Sequence, residues 1–135
     1  MSELSADDVR RWARAYARAW EAGDDELILG CFTSQASYRS SPFRDPHVGH
    51  EAIQRDWRGA AGGQRHQRVV IGEPIVCGDR SCIEWWATFL EADGREVTLP
   101  GALILTFAAD GRCRDLREYW NEDAGQHEPF SGWGR

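Results

Sequence analysis

Three turn signals in the second half of the chain, Gly78-Asp79, Asp93-Gly94 and Asp110-Gly111, constrain the fold more than any other feature. Each pairs glycine with aspartate, a combination that supplies the positive-φ residue a tight hairpin requires. They separate runs at about 67–77, 82–90, 96–107 and 112–120 that are rich in β-branched and aromatic residues. Strands joined by such short turns lie side by side in antiparallel order. Pro100-Gly101 falls inside the third run, where proline cannot donate to a regular ladder, so a bulge or bend is expected there.

The first half carries the helical period instead. Ser5 followed by Asp8 resembles a capping box, and Val9, Trp12, Ala13, Tyr16, Ala19 and Trp20 recur at three-four spacing before Gly23 stops the helix. Arg10, Arg11, Arg14 and Arg18 hold the other side; a solvated helix face explains such a run more often than an anionic partner does. A short second helix is expected after Asp24 or Asp25, with Leu27, Ile28, Cys31 and Phe32 turned inward. A short strand at Ala36–Tyr38 and a polar loop at Ser40-Ser41-Pro42 follow. A third helix runs from about His50 to Arg58, with Ile53 and Trp57 on one face, and Gly59-Ala60-Ala61-Gly62-Gly63 breaks it. Three helices followed by four long strands make an α+β layout, a curved sheet with helices packed on one face.

At 135 residues the chain fits one domain over residues 1–135. The formal charge of −6 argues against a nucleic-acid partner, which requires a basic patch. All 16 basic side chains are arginine, so Schiff-base chemistry, a lysine base and a phosphate-loop lysine are excluded together. No run is long enough to span a membrane, and Met1-Ser2-Glu3-Leu4 lacks the character of a signal peptide, so a soluble, cytoplasmic protein is expected. Cys31, Cys77, Cys82 and Cys113 form no zinc-ligand pattern and read as small hydrophobes. Cys77 and Cys82 flank a turn, and a cytosolic chain keeps such a pair reduced. His47, His50, His66 and His127 are too scattered to imply a metal, and no phosphate loop is present, so neither metal nor cofactor is expected.

The last strand supplies the candidate chemistry. In Asp115-Leu116-Arg117-Glu118-Tyr119-Trp120 alternation puts Leu116, Glu118 and Trp120 on one face. If that face is buried, the Glu118 carboxyl loses water, its proton affinity rises, and it suits acid/base work. If the face is half-buried, Glu118 reaches solvent.

Several segments resemble the nuclear transport factor 2-like superfamily. Tyr16-Ala17-Arg18-Ala19-Trp20-Glu21-Ala22-Gly23-Asp24 is similar to its first-helix ending, and Gly49-His50-Glu51-Ala52-Ile53 to its Gly-x-Glu-x-Ile helix start. Phe107-Ala108-Ala109-Asp110-Gly111-Arg112 with Tyr119-Trp120-Asn121 is similar to its final hairpin. The resemblance to the SnoaL-like and ketosteroid isomerase-like branch implies a cone: a curved sheet wrapped around the long first helix, with an apolar pocket at the open end and a dimer through the convex sheet face. It places Tyr16 where the isomerases carry an oxyanion donor. Their base would fall at Ser41 and their protonated acid near Leu103, neither of which can do that work, and the acid that ends the strand in many SnoaL-like cyclases is Asn121 here. Glu118 matches a cavity-lining position and is the replacement acid. The resemblance further places Trp86 in the cavity, Trp85 and Phe89 outward, and Tyr38, Trp57 and Trp120 in the wall. Leu103 and Asn121 complete the candidate binding set.

Two functions follow from this reading. One is cofactor-independent isomerisation, cyclisation or dehydration of a hydrophobic small molecule, with Glu118 moving a proton and Tyr16 steadying an oxygen. The other is a non-catalytic ligand-binding or dimerisation module, because one fold hosts both. The extended tail, 123–135, carries Phe130 and Trp133, too aromatic for a free end. It is either a lid on the pocket mouth or a staple on the outer surface.

Overall fold

Helix α1 (Ala6–Ala22) starts where Ser5 and Asp8 cap each other: the Ser5 hydroxyl accepts from the Asp8 amide at 3.1 Å and the Asp8 carboxylate accepts from the Ser5 amide at 2.9 Å. It ends at Gly23, whose φ of 64° is the left-handed conformation glycine adopts without strain. The computed structural model describes residues 3–135; Met1 and Ser2, the start of the segment read for a signal peptide, lie outside the described residues. The buried stripe of α1 includes Val9, Trp12, Tyr16 and Trp20.

The short second helix expected next is of the 3-10 type. Leu27–Cys31 is a single 3-10 turn, with the Asp24 carboxylate accepting from the Glu26 and Leu27 amides. Strand β1 begins at Phe32, so there is no room for a second turn, and Leu27 is left exposed rather than turned inward. The fold therefore has two α-helices, the other being α2 (His50–Ala61).

The strands are β1 (Phe32–Arg39), β2 (His47–Val48), β3 (Arg65–Ile71), β4 (Ile75–Cys77), β5 (Arg80–Leu90), β6 (Glu96–Phe107), β7 (Cys113–Trp120) and β8 (Asp123–Ala124). They form one curved, unclosed, mixed sheet in the order β2-β1-β7-β6-β5-β3, with β4 added to β5 and β8 to β6. The hairpin strands are antiparallel as the turns require, whereas β1 joins β7 in parallel. This is the cone-type α+β layout. The run expected at 67–77 is two strands, because Gly72-Glu73-Pro74 interrupts it and proline has no amide for the ladder. The short strand expected at Ala36–Tyr38 extends over Phe32–Arg39, with a register shift between Phe32 and Ser37.

No bulge forms at Pro100-Gly101. The β5–β6 register runs unbroken from Arg80 opposite Thr106 to Leu90 opposite Glu96, and the irregularity falls between Thr106 and Phe107. The Pro100 carbonyl accepts from the Asn121 amide at 3.0 Å, so the missing proline N–H faces the side where β7 has run out.

Register also settles which face each side chain takes. On the inner face Ile83 stands opposite Leu103 and Leu103 opposite Glu118; the next row is Trp85, Gly101 and Trp120. Trp85 and Phe89 are buried in the core, and the Trp85 ring meets Trp20 of α1 at 5.1 Å. The expectation that they face outward is therefore corrected, and with it the placing of Trp86 in the cavity. A Cβ on Gly101 would lie 2.4 Å from the Trp85 ring, so glycine makes the space that admits this tryptophan. One residue along, Trp86 points to the opposite face. There it packs edge-on against Phe130 and Trp133 of the tail.

The tail lies along this outer face. The Trp86 indole donates to the His127 carbonyl at 2.8 Å, the Thr98 hydroxyl donates to the Gly125 carbonyl at 2.8 Å, and the Gly134 amide donates to the Glu84 carboxylate at 3.1 Å. Cys31 and Cys113 are buried as expected, but Cys77 is exposed. It pairs with Arg80 while Cys82 pairs with Ile75, so Cys77 and Cys82 sit diagonally rather than opposite.

Candidate active site: an aromatic cavity around Glu118 and Asp56

Between α1, α2 and the open end of the sheet lies a cavity of about 320 Å³, walled by Tyr16, Trp20, Tyr38, Asp56, Trp57 and Glu118, with Trp120 at its rim. α1 contributes Tyr16 and Trp20 one turn apart on its buried stripe. β1 contributes Tyr38, which the parallel pairing sets beside Leu116. β7 contributes Glu118 two residues further along the inner face. α2 contributes Asp56 and Trp57 together.

Glu118 is held by one strong contact, the Tyr38 hydroxyl, which donates to it at 3.1 Å. Burial removes water from the carboxyl and raises its pKa to about 7; the Tyr38 bond opposes that rise and the negative charge of Asp56 adds to it. A carboxyl balanced between its two forms near neutrality can take up or give a proton at little cost. Tyr16 and Tyr38 are shifted well above the usual tyrosine range, first by burial and then by the Glu118 charge, so both stay neutral and able to donate. The fully buried Tyr16 hydroxyl makes no well-formed hydrogen bond, although it stands within reach of the Tyr38 hydroxyl, which opposes the rise in its pKa.

Asp56 is the residue that sequence reading passed over. It faces the cavity with its carboxylate 3.1 Å from the His47 Nε2, and burial raises its pKa while His47 opposes the rise. The pairing depends on β2, which lays His47 against Tyr38 and over α2. Its signal was available: Ile53, Asp56 and Trp57 recur at three-four spacing, an acid within an apolar stripe, as Glu118 is within its strand.

The remaining candidates divide. Trp57 is nearly buried in the wall, while Trp120 is half-exposed at the rim, its indole donating to the Ser40 carbonyl at 3.0 Å. Leu103 is fully buried in the row with Glu118 and belongs to the core beneath the cavity rather than to its lining. Asn121 follows the end of β7, exposed, with its amide spent on Pro100 and its side chain outside the lining. Trp86, as above, is on the other side of the sheet.

The model of the SnoaL-like domain matches residues 13–116, so the chain belongs to the SnoaL-like family, within the nuclear transport factor 2-like superfamily. Among solved structures, a candidate aromatic ring hydroxylase from Novosphingobium aromaticivorans superposes with a TM-score of 0.74 at 19% identity, over 89% of this chain and 92% of that one. An epoxide hydrolase/cyclase-like enzyme of pyran ring formation in salinomycin gives 0.75 at 17%, over 90% and 100%. A hypothetical protein of ketosteroid isomerase-like fold from Catenulispora acidiphila, in complex with trimethylamine, gives 0.71 at 18%, over 80% and 83%. At these identities the likeness is one of fold. No curated protein matches the chain.

Proposed function

We propose that the cavity binds a hydrophobic small molecule and that the protein is a cofactor-independent isomerase, cyclase or dehydratase acting beside a carbonyl. The observation that carries this reading is Glu118, a carboxyl raised to about 7 inside an aromatic cavity and steadied by the Tyr38 hydroxyl. Glu118 takes the proton and returns it, while the Tyr16 hydroxyl, beside that of Tyr38, meets the oxygen on which charge develops. Solved relatives described as an epoxide hydrolase/cyclase-like enzyme and a ketosteroid isomerase-like protein agree with chemistry of this class.

The test is exchange of the α-protons of 2-tetralone for deuterium, followed by NMR. The wild-type protein should accelerate exchange over buffer with an apparent pKa near 7, and Glu118→Gln should remove the acceleration. Exchange no faster than in buffer would leave the binding-module reading in its place.

The same reading makes the protein a cytoplasmic homodimer. No helix among the described residues is long and apolar enough to cross a membrane. Phe43, Tyr119 and Phe130 are exposed large apolar side chains, and the outer-face groove they line is the surface a partner copy would cover. Light scattering at micromolar concentration that shows only a species near the monomer mass of 15.3 kDa would refute the dimer.

A further inference from the structure

Tyr16 has a companion in the cavity wall. Trp57 is 9% exposed, and its indole N–H has no hydrogen-bond partner in the protein. An indole N–H only donates, and a buried donor left without an acceptor costs about 1–3 kcal/mol. The indoles of Trp12, Trp20, Trp86 and Trp120 all reach an acceptor: the Cys31 carbonyl, the Gln64 side chain, the His127 carbonyl and the Ser40 carbonyl. Trp85 also lacks one, but it lies over Gly101 and is not part of the cavity lining. Trp57 is thus the indole that both lines the cavity and lacks an acceptor.

No group of the cavity wall reaches that N–H, and the two carboxyls nearest the aromatic wall are engaged, Glu118 by Tyr38 and Asp56 by His47. The Trp57 N–H, without an acceptor, and the Tyr16 hydroxyl, whose neighbour is the Tyr38 hydroxyl, stand in one aromatic wall, with their rings edge to face at 5.6 Å. We infer that Trp57 is a binding residue: its N–H joins the Tyr16 hydroxyl in holding one oxygen atom of the ligand. That selects an apolar molecule with a single neutral carbonyl. A hydrocarbon of the same shape would leave the Trp57 donor unpaired.

This inference rests on the cavity reading above, and the experiment separates the two. Cyclohexanone and methylenecyclohexane have the same shape and differ in one acceptor oxygen. They are titrated into the full-length protein while the indole N–H signals are followed by NMR, with the Trp57 signal assigned as the one missing from Trp57→Phe. The ketone should bind at least tenfold more tightly and move the Trp57 proton downfield, as a hydrogen bond to a carbonyl does. Because Trp57→Phe leaves a gap, a second variant carries benzothienylalanine at position 57, which keeps the bicyclic shape and removes only the N–H. In it the ketone should lose about tenfold in affinity and the hydrocarbon should lose none. Equal binding of the two probes to the wild type, or an undiminished ketone preference in that variant, overturns the role of Trp57 and leaves the cavity intact. Binding of neither probe overturns the cavity reading and this inference together.

Discussion

The two faces of the sheet carry the same kinds of side chain and treat them in opposite ways. On the outer face Trp86 donates to a carbonyl, its ring is covered by Phe130 and Trp133, and Glu84 accepts from the tail. On the inner face, at the open end, the Trp57 donor has no partner, the Tyr16 hydroxyl has no well-formed bond, and Glu118 is held with a raised proton affinity. Burial without satisfaction is costly, so a fold confines it to places where something else compensates. The outer aromatics are finished structure. The inner ones are left incomplete by the protein alone, as the proposed ligand site requires.

The largest effect expected from this contrast concerns Glu118. Its pKa rises from 4.5 to about 7 in the folded protein, so the ionised form is the one that folding disfavours. The stability it contributes is complete below the unfolded-state value and is lost as pH rises through about 7. Glu118→Gln keeps the shape and never ionises, so it should match the wild type near pH 4 and exceed it by about 3 kcal/mol above pH 8. Urea melts of both proteins across that range measure the difference. Parallel curves would show that the inner carboxyl is as well solvated as an outer one, and the contrast would fail.

Gly101 tests the packing on which the inner face depends. Its place opposite Trp85 admits no Cβ, with the ring atom at 2.4 Å, so Gly101→Ala must displace the indole or bend the strand. A loss of about 2–3 kcal/mol is expected, typical of overpacking in a tight core. A neutral result would mean that Trp85 can move aside, and that the assignment of faces is softer than the register implies.

Much of this architecture is legible in the sequence, and the failures have a common cause. Local chemistry identifies the Ser5–Asp8 cap, the Gly23 stop and the three hairpin turns, because each depends on residues within one turn of the chain. It gives the Leu116–Glu118 face for the same reason. It cannot say which of two adjacent tryptophans points inward, since Trp85 and Trp86 are equally apolar and the choice rests on Gly101 in another strand. Nor does it join His47 to Asp56, which meet only after β2 has folded against β1. The expected second helix is only a 3-10 helix, because β1 takes over at Phe32 before an α-helix can develop.

The tail sharpens the contrast from the outside. Its hydrogen bonds go to Thr98, Trp86 and Glu84 on the outer face, so it is attached as a staple rather than poised over the cavity. We expect truncation after Glu122 to lower stability by about 2 kcal/mol, since it uncovers Trp86 and frees these partners, while affinity for cyclohexanone stays unchanged. A fall in ketone affinity with the melting temperature intact would instead make the tail a lid.

The smallest effect belongs to Trp86 itself, the residue whose side was reassigned. Trp86→Phe keeps an aromatic ring against Phe130 and Trp133 and removes the donor to the His127 carbonyl. A hydrogen bond at this partly exposed position is worth about 1 kcal/mol, because water can take over the freed carbonyl. The variant should therefore melt slightly earlier, with ketone binding and α-proton exchange untouched. Its counterpart on the inner side, benzothienylalanine at position 57, removes a donor that no protein group accepts without changing the ring's shape, so it should cost binding and little stability. If Trp86→Phe reduced binding while leaving the melting temperature in place, the ligand would be held on the outer groove beside Trp120, Phe130 and Trp133, and the two faces would have to exchange roles.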